Sequence, residues 1–269
     1  MKGLVLSGAK GWLAFCALAA VLMTAACGSG EGASNSSSGE LLVAAAYDLK
    51  PAFEELGAIF QEETAAKVTF SFGSSGLLAR QIEGGLPADI YVAADIQHVE
   101  RLREKGLIIA DTQQVYAVGR LALATSPKAG LALSELEELT RSEVKQVAIA
   151  NPEHAPYGRA AEEALKSAGL WEQLRPKLVY GENLGQVMEY LQSGNVEAGL
   201  VALSLVIGGT ADLSYVVVDE GLHQPIRQAV ALLKETKAEQ LARRFVAFIR
   251  GPQGRAVLEK YGFVVPEEG

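Results

Sequence analysis

Residues 67–95 read KVTFSFGSSGLLARQIEGGLPADIYVAAD, and this stretch decides the fold. Its first six residues are rich in β-branched and aromatic side chains, which is typical of a strand. A glycine and serine turn follows, and residues 76–83 then space their apolar side chains along one face of a helix. The apolar run at 89–93 predicts a second strand. A strand, a helix and a strand in this order predict parallel pairing within an α/β layer.

The same alternation continues in both directions along the chain. Residues 50–63 place Phe53, Leu56 and Phe60 on one helical face, and Pro51 suits the first turn of that helix. The fold class is therefore α/β, with mixed, mainly parallel sheets flanked by helices. Further strands are predicted at 41–46, 114–118, 121–126, 146–149, 198–202, 214–218 and 228–234, and further helices at 96–105, 158–168, 184–193, 237–250 and 252–260.

The N-terminus predicts export from the cytoplasm. Residues 1–26 carry Lys2 and Lys10 around a short apolar run, which is typical of a signal peptide. They end in small residues directly before Cys27, which resembles a bacterial lipoprotein cleavage site, and 27–40 then form a flexible tether. Cys27 is therefore expected to carry lipid and to anchor the protein in the periplasm or at the cell surface. Thr24 stands where lipoprotein signals usually have Leu, so plain secretion is the alternative.

Charge and cysteine content exclude other classes. The formal net charge is −8, and loss of two lysines with the signal makes the mature chain more negative still, which argues against a nucleic-acid partner. Cys16 lies in the signal, so no internal disulfide is expected. About 240 mature residues are more than one sheet core usually needs, and two lobes are predicted.

Four turns between a strand and a helix are suited to holding an anion. Each leaves free N–H groups at a helix start, where the helix dipole adds partial positive charge. A fully deprotonated tetrahedral oxyanion has only acceptors, so its site needs only donors. The four turns are Ala44–Leu49, Gly73–Gly76, Asn151–Gly158 and Glu182–Gln186.

Together these segments resemble the periplasmic molybdate-binding protein family of ABC transporters, a group of type II solute-binding proteins. The resemblance spans residues 41–265 and rests mainly on GSSGLLARQIEGGLPADIYVAAD and on NPEHAPYG at 151–158. It implies a two-lobed periplasmic-binding-protein fold with the anion in the cleft. Lobe I would comprise 41–119 plus 228–269, and lobe II 120–227.

The resemblance also implies a ligand, partners and site residues. The ligand would be molybdate or tungstate, with no cofactor, and the partner would be an ABC permease in the cytoplasmic membrane. The protein would be a monomer. The expected ligand-binding residues are Tyr47, Asp48, Ser74, Ser75, Tyr157, Leu184 and Ser204.

Two positions depart from the family pattern. Tyr47 and Asp48 stand where a serine is usual, and Asp48 is expected to point outward as the N-cap of helix 50–63, because an ionised carboxylate would repel a dianion. Ser204 is expected to replace a tyrosine donor that some relatives place after the 198–202 strand.

Several alternatives stay open. The ligand could be sulfate or another oxyanion, or Asp48 and a second carboxylate could coordinate the metal atom directly. His98, His154 and His223 lack metal-ligand spacing, so a zinc site is not expected, and His154 is expected to support its loop. No nucleophile motif follows a strand, so the protein is not expected to be an enzyme, although an exported hydrolase using Ser74 or Ser75 is a remote alternative.

Overall fold

The computed structural model describes residues 39–209 and 211–266. Signal segment 1–26 and Cys27 lie outside the described residues. Within those two ranges no helix is long and apolar enough to cross a bilayer. The described residues form ten strands: β1 Glu40–Ala46, β2 Lys67–Gly73, β3 Ile90–Ala93, β4 Gln114–Gly119, β5 Leu121–Thr125, β6 Val147–Ala150, β7 Leu178–Gly181, β8 Ala198–Ala202, β9 Ser214–Val217 and β10 Ile226–Leu232.

The strands form two five-stranded sheets. The first has the order β2-β1-β3-β10-β4 and the second β7-β6-β8-β5-β9. Both sheets are mixed, as predicted: β1 pairs in parallel with β2 and β3, and β6 pairs in parallel with β7 and β8. The strands that connect the sheets pair antiparallel, β10 with β3 and β4, and β5 with β8 and β9. The chain passes from the first sheet to the second at Arg120 and returns between Val217 and Ile226.

Nine helices flank the sheets within the described ranges. Most lie where the apolar periodicity predicts them, with ends that differ by at most two residues. We refer to the first sheet with α1, α2, α3, α8 and α9 as the first lobe, and to the second sheet with α4, α5 and α6 as the second lobe. The helices are α1 Lys50–Thr64, α2 Ser75–Glu83, α3 Ile96–Glu104, α4 Pro156–Ser167, α5 Trp171–Leu174, α6 Leu184–Ser193, α7 Leu203–Ile207, α8 Glu239–Arg250 and α9 Pro252–Lys260.

Aromatic packing holds the outer face of the first sheet. Phe53 and Phe60 of α1 meet Phe245 of α8, with the Phe60 and Phe245 ring centroids 5.0 Å apart at an edge-to-face angle. Phe53 and Phe245 are fully buried. Edge-to-face pairs of this kind add stabilisation beyond the burial of their area. This packing fixes α1, and with it the turn at residues 47–49 that opens into the site.

The sequence did not predict three of the strands and helices. Strand β7 lies at a sheet edge with partly exposed side chains, so it lacks the apolar run that marks the central strands. Helices α5 and α7 have four and five residues, too few to show a helical period. Residue 40, predicted as the end of the tether, is the first residue of β1.

Candidate functional site

The four predicted turns converge on one small cavity. Its wall includes residues from Ala46–Asp48, Gly73–Ser75, Ala155–Tyr157 and Leu184, and the space between the atoms, including the open mouth, is about 220 Å³. The first two segments belong to the first lobe and the last two to the second. The convergence follows from topology, because helices that leave the carboxyl ends of neighbouring parallel strands begin at the same edge of a sheet.

Ser75 is one of the residues that line this cavity. Its Oγ accepts a hydrogen bond from the Ala94 N–H at 3.0 Å, and its carbonyl accepts one from the Tyr91 hydroxyl at 2.7 Å. Ser75 is completely buried. Because Oγ already accepts from a backbone amide, its own proton remains available to an acceptor in the cavity.

Ser74 and Gly76 connect the first lobe to the second through His154. The Ser74 Oγ lies 2.9 Å from His154 Nδ1, and the Gly76 N–H donates to the His154 carbonyl at 2.9 Å. Partial burial lowers the pKa of His154, so its ring favours the neutral form. The prediction that His154 supports its loop agrees with these contacts, which place its side chain and backbone against α2.

Tyr157 and Leu184 present backbone amides from the second lobe. Tyr157 is the second residue of α4, after Pro156 at the first, and Leu184 is the first residue of α6. Amides at these positions have no acceptor within their own helix. Asn183 caps α6 by accepting from the Gln186 N–H at 3.2 Å, which leaves the Leu184 amide free of the cap.

No basic side chain is among the described residues that line the site, which include no Lys, Arg or His. Arg159 of α4 forms an ion pair with Asp95 of the first lobe instead. The favourable charge therefore comes from the N-termini of α2, α4 and α6, whose dipoles place partial positive charge at the cavity.

Asp48 does not point outward, so the predicted capping role is wrong. The residue before α1 is Leu49, and no side chain caps that helix. Asp48 lies in a 3-10 turn, is 1% exposed and lines the cavity, and its Oδ2 accepts from Gln228 Nε2 at 2.7 Å. Burial raises the pKa of Asp48 to about 7, although Gln228 and Tyr157 act to lower it. A neutral carboxyl at this position would not repel an anion.

Tyr47 lies at the contact between the lobes. Its ring packs edge-on to Phe72 at 6.3 Å, and a Cβ added at Gly185 of α6 would lie 2.5 Å from the ring. Glycine at 185 therefore lets the Tyr47 ring approach the start of α6. The ring closes one wall of the cavity.

Ser204, predicted to contact the ligand, is not among the described residues that line the cavity, and its hydroxyl has an acceptor within the protein. Its hydroxyl donates to the Asp48 carbonyl oxygen at 2.6 Å, and the side chain is 3% exposed. The short helix α7 turns the residue toward the 47–49 turn. Ser204 thus fixes Asp48 by a bond to its backbone.

Gln228 and Tyr116 are site residues that the sequence prediction missed. Gln228 is completely buried in β10 and donates to Asp48. Burial raises the pKa of Tyr116 of β4, and the nearby charge of Asp48 adds to this effect. The only signal for Gln228 was a single amide within the apolar strand QAVALLK. A buried amide in such a strand needs a polar partner, but sequence does not identify which.

Comparison with known proteins identifies the family. The model of the bacterial extracellular solute-binding protein family matches residues 41–264. The chain belongs to this family. The molybdate-binding protein ModA of Rhodobacter capsulatus is 34% identical over 226 residues, which cover 84% of this chain and 88% of that protein. ModA of Azotobacter vinelandii is 34% identical over 243 residues, or 90% of this chain and 96% of that protein.

A solved structure supports the two-lobed fold of this solute-binding protein. The Azotobacter vinelandii periplasmic molybdate-binding protein superposes with a TM-score of 0.79 at 30% identity, covering 84% of this chain and 100% of that one. The resemblance seen in the sequence is thereby confirmed. The relatives are binding proteins, so this chain is not an enzyme, and the Ser74 and His154 pair serves as a contact between lobes.

Proposed function

We propose that this solute-binding protein captures molybdate in the cavity between its lobes and delivers it to the permease of an ABC importer. One observation carries the proposal: residues of four helix-start turns, two in each lobe, line one cavity that has no basic side chain among its described lining residues. Such a site matches a fully deprotonated tetrahedral oxyanion, because every ligand oxygen needs donors and none needs a counter-ion.

The ligand contacts follow from the geometry. The Ser75 hydroxyl and the amides of Tyr157 and Leu184 would donate to the anion oxygens, with Ser74 and Tyr47 as further donors at the wall. Asp48 would line the anion site in its protonated form, without a negative charge. Coordination of the metal atom by two carboxylates is not favoured, because Asp48 is the single carboxylate among the described residues that line the cavity.

Binding would close the two lobes like a hinge. We assign 41–119 plus 228–269 to lobe I and 120–227 to lobe II, with the crossings near Arg120 and Pro225 as hinges. Contacts that join the lobes, namely Gly76 with His154, Ser74 with His154 and Asp95 with Arg159, belong to the closed form. An anion that draws donors from both lobes stabilises that form, which a permease would then recognise.

The protein would act outside the cytoplasmic membrane as a monomer. Residues 1–26 would direct export, and lipid on Cys27 would anchor the chain through the 27–40 tether. A relative supports the anchor: the putative ABC transporter substrate-binding lipoprotein YvgL of Bacillus subtilis is 30% identical over 253 residues, which cover 92% of this chain.

Isothermal titration with molybdate tests the function. We expect binding by the parent protein, with tungstate competing because it has the same shape and charge, and sulfate competing less. Ser75→Ala should weaken binding by about 1.5–3 kcal/mol, or roughly 10- to 150-fold, because it removes a hydrogen bond to a charged ligand. Ser71→Ala, at an exposed position of β2, is the matched control and should bind as the parent does. Equal affinity of Ser75→Ala and the parent would remove Ser75 from the site.

A further inference from the structure

Four buried polar side chains form a cluster that extends from the wall of the cavity into the protein. They are Asp48, Tyr116 of β4, Tyr157 of α4 and Gln228 of β10, and each is at most 4% exposed. A Cβ at Gly119, where the chain leaves the first sheet, would collide with the Tyr157 hydroxyl and would lie 2.9 Å from Gln228 Nε2. The cluster therefore spans the two lobes at a point where the chain crosses between them.

The hydrogen bonds of this cluster are incomplete. Gln228 Nε2 donates to Asp48 Oδ2 at 2.7 Å. In the part of the chain that the structure describes, the hydroxyls of Tyr116 and Tyr157 and the Oε1 of Gln228 are buried without a hydrogen-bond partner. The Tyr157 hydroxyl is close enough to Asp48 to lower its pKa, but it does not reach hydrogen-bonding geometry. Gln228 Oε1 is a free acceptor beside a carboxyl, and a proton on that carboxyl would add a donor to the cluster.

Among the described residues, no cation acts on the Asp48 carboxyl. The helices that pack on its turn are α1, α6 and α7. On α1, Lys50 pairs with Glu54. On α6, Glu189 is exposed and Tyr190 is half-buried, and α7 has no titratable residue. The remaining titratable groups nearby are Tyr47, Tyr116 and Tyr157, with Arg159 of α4 paired to Asp95 and Arg227 of β10 exposed.

We propose that anion capture takes up one proton, which Asp48 holds in the closed, loaded protein. This inference rests on the proposed function, since it concerns the same cavity. Two of the residues that cover Asp48 follow second-lobe strands: Tyr157 packs on its side chain and Ser204 binds its carbonyl oxygen. Opening the lobes would withdraw this cover and return Asp48 to water. Closing them beside a dianion would then require the carboxyl to be neutral, because two negative charges in a site of low polarity repel strongly.

The direction of the pH dependence follows. Burial in the closed form raises the pKa of Asp48 to about 7, whereas a solvated aspartate titrates near 4. The closed form therefore binds more protons than the open form between these values. Anion affinity should therefore be greatest below about pH 4, fall as pH rises from about 4 to about 7, and level off above pH 7. Proton linkage predicts that the affinity for the anion falls about tenfold between pH 6 and pH 8. A bound anion would raise the pKa of Asp48 further, so uptake would extend to higher pH.

Titration calorimetry with molybdate in buffers of different ionisation enthalpy tests the inference. The slope of heat against buffer enthalpy counts protons, and we expect at least about half a proton per anion at pH 7 and nearly one at pH 6. Asp48→Asn should abolish the uptake and flatten the pH dependence of the affinity. Asp111→Asn removes a carboxylate at an exposed site on the first lobe. It should leave the proton uptake and the pH dependence of the affinity unchanged.

Tyr157→Phe is a second variant that keeps the backbone amide in the site. It removes a hydroxyl that lowers the pKa of Asp48, so the midpoint of the affinity profile should move to higher pH, which tests the inference even if Asp48→Asn does not fold. Binding without proton uptake by the parent protein, or an Asp48→Asn variant with the parental pH profile, would overturn the inference and leave the proposed function intact. Failure of molybdate, tungstate and sulfate to bind at any of these pH values would refute both.

Discussion

Replacing Gly76 by alanine should weaken anion binding without weakening the fold. Gly76 is the second residue of α2, and its N–H donates across the lobes to the His154 carbonyl at 2.9 Å. A Cβ at this position would lie 2.8 Å from that carbonyl oxygen and 3.0 Å from the His154 Cα. Both are backbone atoms, so no side-chain rotation relieves the clash. The lobes would have to stay apart by about 0.5 Å to restore van der Waals contact.

The expected magnitude comes from the cost of one excess methyl group at a packed contact. Overpacking of this kind costs about 1–3 kcal/mol, which corresponds to roughly 5- to 150-fold in affinity. In the proposed open form the clash would be absent, because His154 would move away with the second lobe. In that form alanine favours α2 over glycine by up to about 1 kcal/mol. Affinity and stability should therefore change in opposite directions.

Two measurements separate these effects. Calorimetric titration with molybdate should show the weaker binding, and urea unfolding of the ligand-free protein should show equal or greater stability. Gly84→Ala is the matched control, because it lies at the C-terminal end of the same helix with φ −83° and its Cβ would make only ordinary contacts at 3.4 Å. Parental affinity in Gly76→Ala would show that the anion is not bound in this closed form, and the reasoning would fail.

Two further changes test the supports of the site. Asn183→Ala removes the cap of α6 and should cost about 0.5–2 kcal/mol in urea unfolding, with weaker molybdate binding because the Leu184 amide loses its fixed position; unchanged stability would contradict the capping role. Phe245→Ala empties the centre of the first lobe's aromatic packing and should cost about 3–5 kcal/mol in the same unfolding assay. Since Phe245 is not among the residues that line the cavity, the folded fraction should bind molybdate with near-parental affinity, and a large affinity loss would mean that this packing also positions the site.

Local periodicity and turn chemistry were enough to predict most of the fold. The predicted strand and helix at 67–83 lie on either side of the GSSG turn in the structure. The apolar face of the helix predicted at 50–63 packs on Phe245, as expected of an amphipathic helix. Edge strand β7 was missed because a strand at a sheet edge need not bury its side chains. Its presence depends on pairing with β6, a contact that is not local in sequence.

The sequence predicted the parts of the site that are formed by backbone amides. It did not predict the hydrogen bonds between side chains that are distant in sequence. A turn sequence predicts where amides are free, so the segments containing Ser75, Tyr157 and Leu184 were found together in one cavity. The direction of Asp48 was predicted wrongly because the sequence offers two physically reasonable environments, a solvated cap and a buried partner. The choice depends on Gln228, which lies 180 residues away in sequence and reaches Asp48 only in the folded chain.

The central claim is that helix-start amides and hydroxyls of the two lobes surround one tetrahedral oxyanion. Anomalous diffraction at the molybdenum absorption edge, from crystals grown with molybdate, tests it most directly. We expect one strong peak in the cavity between the Ser75 hydroxyl and the amides of Tyr157 and Leu184, with the anion oxygens at hydrogen-bond distance from each. A peak outside this cavity, or molybdenum bound directly to carboxylates, would contradict this mode of binding.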